Sequence, residues 1–358
     1  MKFEQGIQVG GEFKYTVFKE DGTIKMETDF QDNLVTENVF RWLLGQQPID
    51  NTGAANTLPS SMFGPYLAVG EGTTPPTIND FALNSLCEIT SALMGALVVE
   101  PGLGSDHVGY VKFSRTSVFS FSNLNNKNIT EIGLCHQYGT YPNRYALQTR
   151  ALVKDSNDNP IAITVLPGEI LQVTYRTSLY ASEAIKTGTF TVTSYDDTTT
   201  TKTFDYAQAI NSNFNDAYWS YQYGPSLLAY PAKEAPGTGT FDLNTEKSKI
   251  TWGKSLSQIS TPINPSTELS IGKNLLSNKA MWYENESVDF ATKTRKVTVG
   301  TGPFCLVHPN GIRVLYFNPN GVPGTAFMFS EQNTKDGILK DEYHKWEIDM
   351  TITYSRWP

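Results

Sequence analysis

Apolar and polar residues alternate along much of this chain, and turn residues separate the alternating runs. The segment "EFKYTVFKEDGTIKMETDF" alternates on both sides of Asp21-Gly22, a dipeptide typical of tight β-hairpins. Because successive side chains of a strand point to opposite faces, Phe13, Tyr15 and Val17 are predicted to share one face. Similar runs continue from "GYVKFSRTSVFSFSNL" to "GEILQVTYRTSLY". The pattern predicts a mainly β fold of antiparallel β-sandwich-like domains with a few short helices.

Three segments depart from this alternation and predict the short helices. In "NLVTENVFRWLLG" the apolar residues recur at helical spacing, with Thr36 as candidate N-cap and Gly45 as candidate C-cap. The segment "DFALNSL" is predicted to be a short helix capped by Asp80. A third candidate, "DYAQAINSNFNDAYWSYQYG", leads into a group of aromatic residues.

The residue pattern changes after Ser182, where Thr-rich and turn-rich segments replace the regular alternation of apolar and polar residues. We therefore predict an N-terminal β-rich domain at residues 1–182 and a second β-rich domain at residues 183–358. The last strand, at about residues 345–357, is a candidate for pairing back on the first domain.

The stretch "YLAVGEGTTPPTINDFALNSL" first suggests a phosphate-binding loop, because Gly70 and Gly72 are followed by two threonines. A Walker-type loop needs a lysine that reaches the phosphates, and none follows here. A dinucleotide fingerprint needs a third glycine that opens a helix, yet Pro75-Pro76 stands at that place. The stretch is therefore predicted to be a rigid joint that positions backbone.

The composition of the chain limits the kinds of molecule that it is expected to bind. Hydrophobic residues make up 39% of the chain, aromatic residues 12% and charged residues 18%, and the formal net charge is −8. An acidic chain without a basic cluster argues against nucleic-acid binding, which depends on lysine and arginine. No apolar run approaches the roughly 20 residues of a membrane span, and the N-terminus lacks the apolar core of a signal peptide. We therefore expect synthesis in a cytoplasm and no membrane span.

The cysteines, histidines and paired carboxylates show no spacing typical of a catalytic or metal-binding site. Cys87, Cys135 and Cys305 are isolated and predicted to be reduced, small buried hydrophobes. The four histidines show no metal-binding spacing, and Cys135 and His136 would point to opposite faces of a strand. Paired carboxylates fall mostly in turns, where solvation explains them. We predict no catalytic residue, no cofactor and no metal.

The sharpest candidate site is the aromatic segment "DAYWSYQYG", which contains Tyr218, Trp219, Tyr221 and Tyr223. Exposed rings beside amide and carboxylate groups could stack on sugar rings of a host surface glycan. The same residues are also typical of subunit interfaces and cores, which tyrosine and tryptophan dominate. Both interpretations remain open at this point.

The order of several motifs resembles a known layout. The Asp-Gly hairpin is followed by "NLVTENVFRWLLG", "YLAVGEGTTPPTINDFALNSL", "SRTSVFSFSN", "NITEIGL", "LQTRALV" and "PGEILQVTYRTSLY". This order is similar to that in structural proteins of tailed-bacteriophage particles, from the tail, neck, baseplate or fibre regions. In such proteins a "VGxGTTxPxxxDxxL" turn, an "xTEIGL" strand and a "xxRALL…PGExLxVxY" hairpin follow one another. The resemblance covers about Gly11 to Tyr180, half of the chain.

The resemblance implies a virion component without enzymatic activity. Its expected partners are further copies of itself and other virion structural proteins, and its expected location is the virion, assembled in the host cytoplasm. A tail, neck or collar, or baseplate position is favoured over a fibre shaft, because no repeats or long coiled coils are visible. The alternatives are a carbohydrate- or host-receptor-binding module, and a capsid-decoration or head-fibre protein.

Overall fold

The structure, a computed structural model, confirms a mainly β fold. It describes residues 2–59, 62–91, 93–103, 107–138, 144–182, 185–194, 196–210, 226–231, 282–301, 312–318, 325–331 and 344–357. Within these ranges there is one helix, α1 (Glu37–Leu43). The strands of the first part are β1 (Lys2–Phe18), β2 (Ile24–Glu27), β3 (Gln31–Asp32), β4 (Leu34–Val35), β5 (Tyr66–Gly70), β6 (Leu86–Ser91), β7 (Leu93–Leu103), β8 (His107–Phe121), β9 (Lys127–Ile129), β10 (Glu131–Tyr138), β11 (Arg144–Leu147), β12 (Thr149–Leu152), β13 (Ile163–Val165) and β14 (Ile170–Ser182). Those that follow are β15 (Ile185–Ser194), β16 (Thr199–Ile210), β17 (Ser226–Pro231), β18 (Trp282–Asp289), β19 (Thr294–Thr301), β20 (Ile312–Asn318), β21 (Thr325–Glu331) and β22 (His344–Arg356).

The strands form one large sheet, one smaller sheet and a two-stranded ribbon. The large sheet has the order β17-β20-β21-β16-β15-β22-β1-β14-β8-β7, with β2, β3, β18 and β19 attached beside this path. Strand β1 pairs antiparallel with β14 over residues 7–18 and parallel with β22 over residues 2–9. The sheet therefore contains strands from both sides of residue 182, and the division into two domains stays a prediction.

The smaller sheet covers the core face of the large one. Its order is β4-β12-β10-β5-β6, with β11 also paired to β10, and β13 pairs with β9 in the ribbon. The predicted shared face of Phe13, Tyr15 and Val17 is confirmed, since all three are buried in the main core. Their partners come from both sheets and the ribbon: Leu67, Val69, Phe119, Phe121, Ile129, Ile132, Leu134, Ala151, Ile163, Val165, Leu171, Val173 and Tyr175. Burial of these apolar faces holds the layers together.

Helix α1 lies where the apolar spacing predicts a helix. Thr36 occupies the N-cap position with extended backbone, but its hydroxyl donates to the Leu147 carbonyl (2.8 Å) and does not cap the helix. Gly45 follows the helix with φ +72°, a left-handed conformation that glycine adopts without strain. The helix buries Phe40 and Leu43. Within the described ranges, no helix is long and apolar enough to cross a membrane.

The predicted helix at "DFALNSL" is wrong. Residues 80–85 are irregular, and Leu86 already begins β6. The Asp80 carboxylate accepts hydrogen bonds from the backbone and hydroxyl of Thr77, which precedes it, and so caps no following turn. The amides of Asn84 and Ser85 donate to a distant carboxylate, that of Glu131. These contacts replace the hydrogen bonds of a helix.

The predicted helix that starts at Asp205 is also wrong over its first six residues. Residues 205–210 complete β16 and pair antiparallel with residues 325–330 of β21. A long-range backbone pairing therefore prevails over a local helical pattern. The remainder of that segment lies outside the described residues.

We predict that Trp357→Ala loosens β22 from β1. The Trp357 ring stacks on Tyr180, with centroids 3.7 Å apart and planes at 12°, and its amide donates to the Val9 carbonyl (2.9 Å). Loss of the stack should lower the free energy of unfolding by about 1 kcal/mol. Amide hydrogen exchange in residues 344–357 should become faster. Val288→Ala, at an exposed position, serves as control; equal exchange in the two variants would contradict the prediction.

Candidate functional site

The glycine loop that follows β5 binds a carboxylate of its own chain. Glu131, the first residue of β10, is fully buried and lies under this loop. Its Oε1 accepts hydrogen bonds from the amides of Gly72 (3.0 Å) and Ser85 (2.8 Å), and its Oε2 accepts one from the amide of Asn84 (3.2 Å). The converging amides resemble an anion-binding nest, in which Glu131 occupies the place of the anion.

Arg150 on β12 supplies the counter-charge and is 1% exposed. Its Nε and Nη2 donate to Glu131 Oε2 at 3.0 and 2.8 Å. Its Nη1 donates to Asp80 Oδ2 (2.6 Å), and Nη2 also donates to the carbonyl of Thr74 (2.9 Å). The planar guanidinium thus joins two carboxylates and the loop backbone, a role that its fork of fixed donors suits.

The two glycines of the loop are required by this close approach. A Cβ at Gly72 would lie 2.6 Å from Cβ of Asn84 and closer still to Glu131 Oε1. A Cβ at Gly70 would lie 2.7 Å from the same carboxylate oxygen. Any side chain at either position would therefore displace Glu131 from the loop amides.

The electrostatics keep the Asp80 carboxylate of this cluster ionised. Burial works to raise the pKa of Asp80, but the backbone hydrogen bond from Thr77 and the hydrogen bond from Arg150 outweigh it and hold that pKa below its usual range. The loop amides and the guanidinium donate to oxygens of the protein. The arrangement therefore orders the loop and joins β5, β10 and β12, in agreement with the sequence prediction that this stretch positions backbone.

A second buried carboxylate orders the loop before β5. Asp50 is fully buried, and its Oδ1 accepts hydrogen bonds from the Thr52 amide (2.8 Å), the Thr52 hydroxyl (2.6 Å) and the Ala54 amide (3.0 Å). Its Oδ2 accepts from Arg144 Nε (2.7 Å), and a second guanidinium nitrogen also contacts it. Arg144 Nη2 continues to Asn56 Oδ1 (3.0 Å). This network fastens residues 50–56 to β11.

The aromatic candidate site of Tyr218, Trp219, Tyr221 and Tyr223 lies outside the described residues, so it stays a prediction. Cys305 lies outside them as well. Cys135 is buried and Cys87 partly buried, and both thiols are free. Burial raises the pKa of Cys87 to about 11. In the described ranges no group of three or more His, Cys, Asp or Glu residues could hold a metal ion.

Sequence reasoning did not single out Glu131, Arg150 or Asp50 as sites. The available signal was a charged residue beside an apolar run, in "TEIGLC" and "TRALV". Charged residues are almost never fully buried unless they are paired, so two such positions of opposite charge in core strands indicate a pair. The alternation pattern by itself could not reveal which residues pair.

Comparison with protein-family models, with curated proteins and with solved structures finds no match. One cluster brings together residues from three of the motifs quoted above: Gly70, Gly72, Asp80, Glu131 and Arg150. These motifs form a single structural unit.

We predict that Arg150→Met lowers the free energy of unfolding by about 3–5 kcal/mol, because it leaves the buried Glu131 carboxylate without its counter-charge. Urea unfolding measures the loss. The control is Lys154→Met, which removes an exposed ion pair with Asp158 and should cost less than about 0.5 kcal/mol. Similar losses in the two variants would contradict a central role for Arg150.

We also predict that Asp50 makes the stability of the folded protein sensitive to acid. Burial acts to raise the pKa of Asp50, but hydrogen bonds from Thr52, Asn56 and Arg144 outweigh it and hold that pKa far below its usual value. The stabilisation is therefore complete above the unfolded-state pKa of about 3.9 and is lost as the pH falls below it.

Asp50→Asn removes this dependence. The difference in unfolding free energy between wild type and Asp50→Asn should be constant above about pH 5 and should shrink as the pH falls toward about 2. Chemical denaturation at a series of pH values measures this difference. A difference that stays constant down to the lowest pH would contradict the assignment.

Proposed function

We propose that this chain is a non-enzymatic structural component of a tailed-bacteriophage virion, located in the tail, neck or collar, or baseplate. It would pack in a symmetric assembly of its own copies and contact other virion proteins. The support comes from the motifs that resemble those of phage structural proteins, since distinctive residues of three of them meet in one cluster around Glu131 and Arg150. If the motifs serve to build this cluster, the resemblance in motif order between this chain and the phage proteins has a structural reason.

The last of these motifs is also a structural element in this chain. Pro167 and Gly168 form the tip of a turn in which the Glu169 amide donates to the Leu166 carbonyl (3.1 Å) and Gly168 has φ +82°. The Glu169 carboxylate accepts from the Leu166 amide (2.8 Å) and binds the ammonium of Lys25 (2.8 Å). The "PGE" residues, Pro167 to Glu169, therefore close the turn and connect it to the first hairpin.

One end of the large sheet has the apolar surface that an assembly needs. Among the described residues six large hydrophobic side chains are exposed, and four of them are Ile24, Met26, Leu166 and Ile170. Ile24 and Ile170 both lie opposite Phe18, on the strands that flank β1. Exposed apolar residues that lie together, as Ile24 and Ile170 do beside Phe18, favour burial against another protein. This end of the sheet is the surface that we assign to a neighbour in the particle.

The proposal predicts that the chain co-purifies with phage particles. Particles released from cells that carry the gene are purified through a density gradient, and their proteins are identified by mass spectrometry. The chain should be present at a fixed stoichiometry, and gold-labelled antibodies against it should mark one part of the particle. A chain found in the soluble lysate and absent from the purified particles would overturn the proposal.

The mass of the purified chain in solution tests the assembly separately. Light scattering over a concentration series should give a discrete symmetric oligomer, such as a trimer, hexamer or dodecamer. The variant Ile24→Lys/Ile170→Lys places charges on the apolar end of the sheet and should shift the mass toward the monomer. An oligomer of unchanged mass in this variant would show that another surface mediates assembly.

A further inference from the structure

We propose a binding site for a neutral sugar in the surface cavity beside Phe30. The cavity has a volume of about 320 Å³ and is lined by Lys14, Glu27, Thr28, Asp29 and Phe30. It lies on the solvent side of the first hairpin, opposite the face that carries the core. Such a site goes beyond the structural function proposed above.

The aromatic wall of the cavity is held in place from beneath. The Arg176 guanidinium carbon lies 4.2 Å from the centroid of the Phe30 ring, and Lys14 Nζ lies 5.9 Å from it. Arg176 is itself fixed by Glu12, whose Oε1 accepts from Nη1 at 2.7 Å. Phe30 is only half-buried, so part of an ordered ring faces solvent. A pre-positioned ring binds a ligand without a large loss of side-chain entropy.

The polar wall offers both acceptors and donors. Glu27 Oε1 accepts from Lys14 Nζ (3.2 Å) and from the Thr16 hydroxyl (3.2 Å), and the side chain remains 45% exposed. The hydrogen bond from Lys14 lowers the pKa of Glu27, which keeps it an ionised acceptor at neutral pH. Asp29 is exposed and has no hydrogen bond or ion pair within the described part of the chain, so its carboxylate is available.

The charges around the ring favour a neutral ligand. An anion would meet the carboxylates of Glu27 and Asp29. The Asp29 carboxylate would attract a cation, but over the ring the cation would meet the positive charges of Arg176 and Lys14, which already use its π-electrons. A neutral sugar avoids both repulsions. Its C–H face can pack on the ring, and its hydroxyl groups can donate to the carboxylates and accept from the ammonium of Lys14.

The size of the cavity limits the ligand to a short one. Pockets for small ligands range from about 300 to 1,000 Å³, and this cavity is at the lower end. It therefore fits a terminal sugar ring of a glycan. The proposed site uses none of the residues of the predicted aromatic segment, 218–223, and does not depend on a location in the virion. A virion protein without the site remains a virion protein, so the two proposals fail separately.

The test is saturation-transfer NMR on the full chain. The probes are the methyl glycosides of glucose, galactose and mannose at about 10 mM each, a concentration that detects binding with a Kd of about 1 mM. Irradiation of the protein should transfer saturation to ring C–H protons of at least one sugar. Phe30→Ala should abolish the transfer, and Asp29→Ala should weaken the affinity about tenfold. The controls Ile78→Ala and Val288→Ala change exposed apolar residues away from the cavity and should leave the transfer unchanged.

The Asp29 variant still tests the site if the Phe30 variant fails to fold. Asp29 is exposed, so its replacement should not affect folding. Thermal melting of each variant is recorded beside the NMR experiment. Wild-type protein that transfers saturation to none of the three glycosides would overturn the proposal. Transfer that persists unchanged in both Phe30→Ala and Asp29→Ala would also overturn it, because the sugar would then bind elsewhere on the chain.

Discussion

The buried ion pair between Glu131 and Arg150 is the constraint on which the smaller sheet depends. A carboxylate without water is stable only when opposite charge and hydrogen-bond donors surround it. Here one guanidinium and three backbone amides provide both, so the loop that carries the amides has a single acceptable path. Gly70 and Gly72 are the residues that let the backbone come close enough. The cluster therefore links β5, β10 and β12 in addition to their backbone pairing.

Polar contacts also join the smaller sheet to the large one around the apolar core. The Tyr175 hydroxyl on β14 contacts the Thr149 hydroxyl on β12. The side-chain nitrogen of Asn33 contacts the Tyr175 hydroxyl oxygen as well. The Gln31 side chain donates to the Lys154 carbonyl (2.7 Å) and accepts from its amide (3.1 Å). Apolar burial supplies most of the attraction between the layers, whereas these directional contacts fix their relative register.

The side of the first hairpin away from the core carries both surfaces that we propose for binding. Ile24 and Ile170 form an apolar end of the sheet suited to a protein neighbour, and Phe30 forms the wall of a small mixed-polarity cavity. Both features lie on the same part of the molecule as the Lys25–Glu169 ion pair, which ties the hairpin to the following turn. A structural role and a weak ligand site can therefore share one ordered surface.

The sequence alone determined the elements whose signals are local. Alternation predicted the β fold and the buried face of Phe13, the Asp-Gly pair predicted the first turn, and helical spacing predicted α1, because backbone geometry and nearest neighbours decide these features. The tertiary structure decided the rest. The segment after Asp80 is irregular because Glu131 and Arg150 capture its amides and carboxylate, and residues 205–210 extend β16 because β21 pairs with them. The ion pair and the Phe30 cavity likewise depend on contacts between residues far apart in the chain, which a local pattern of residues does not specify.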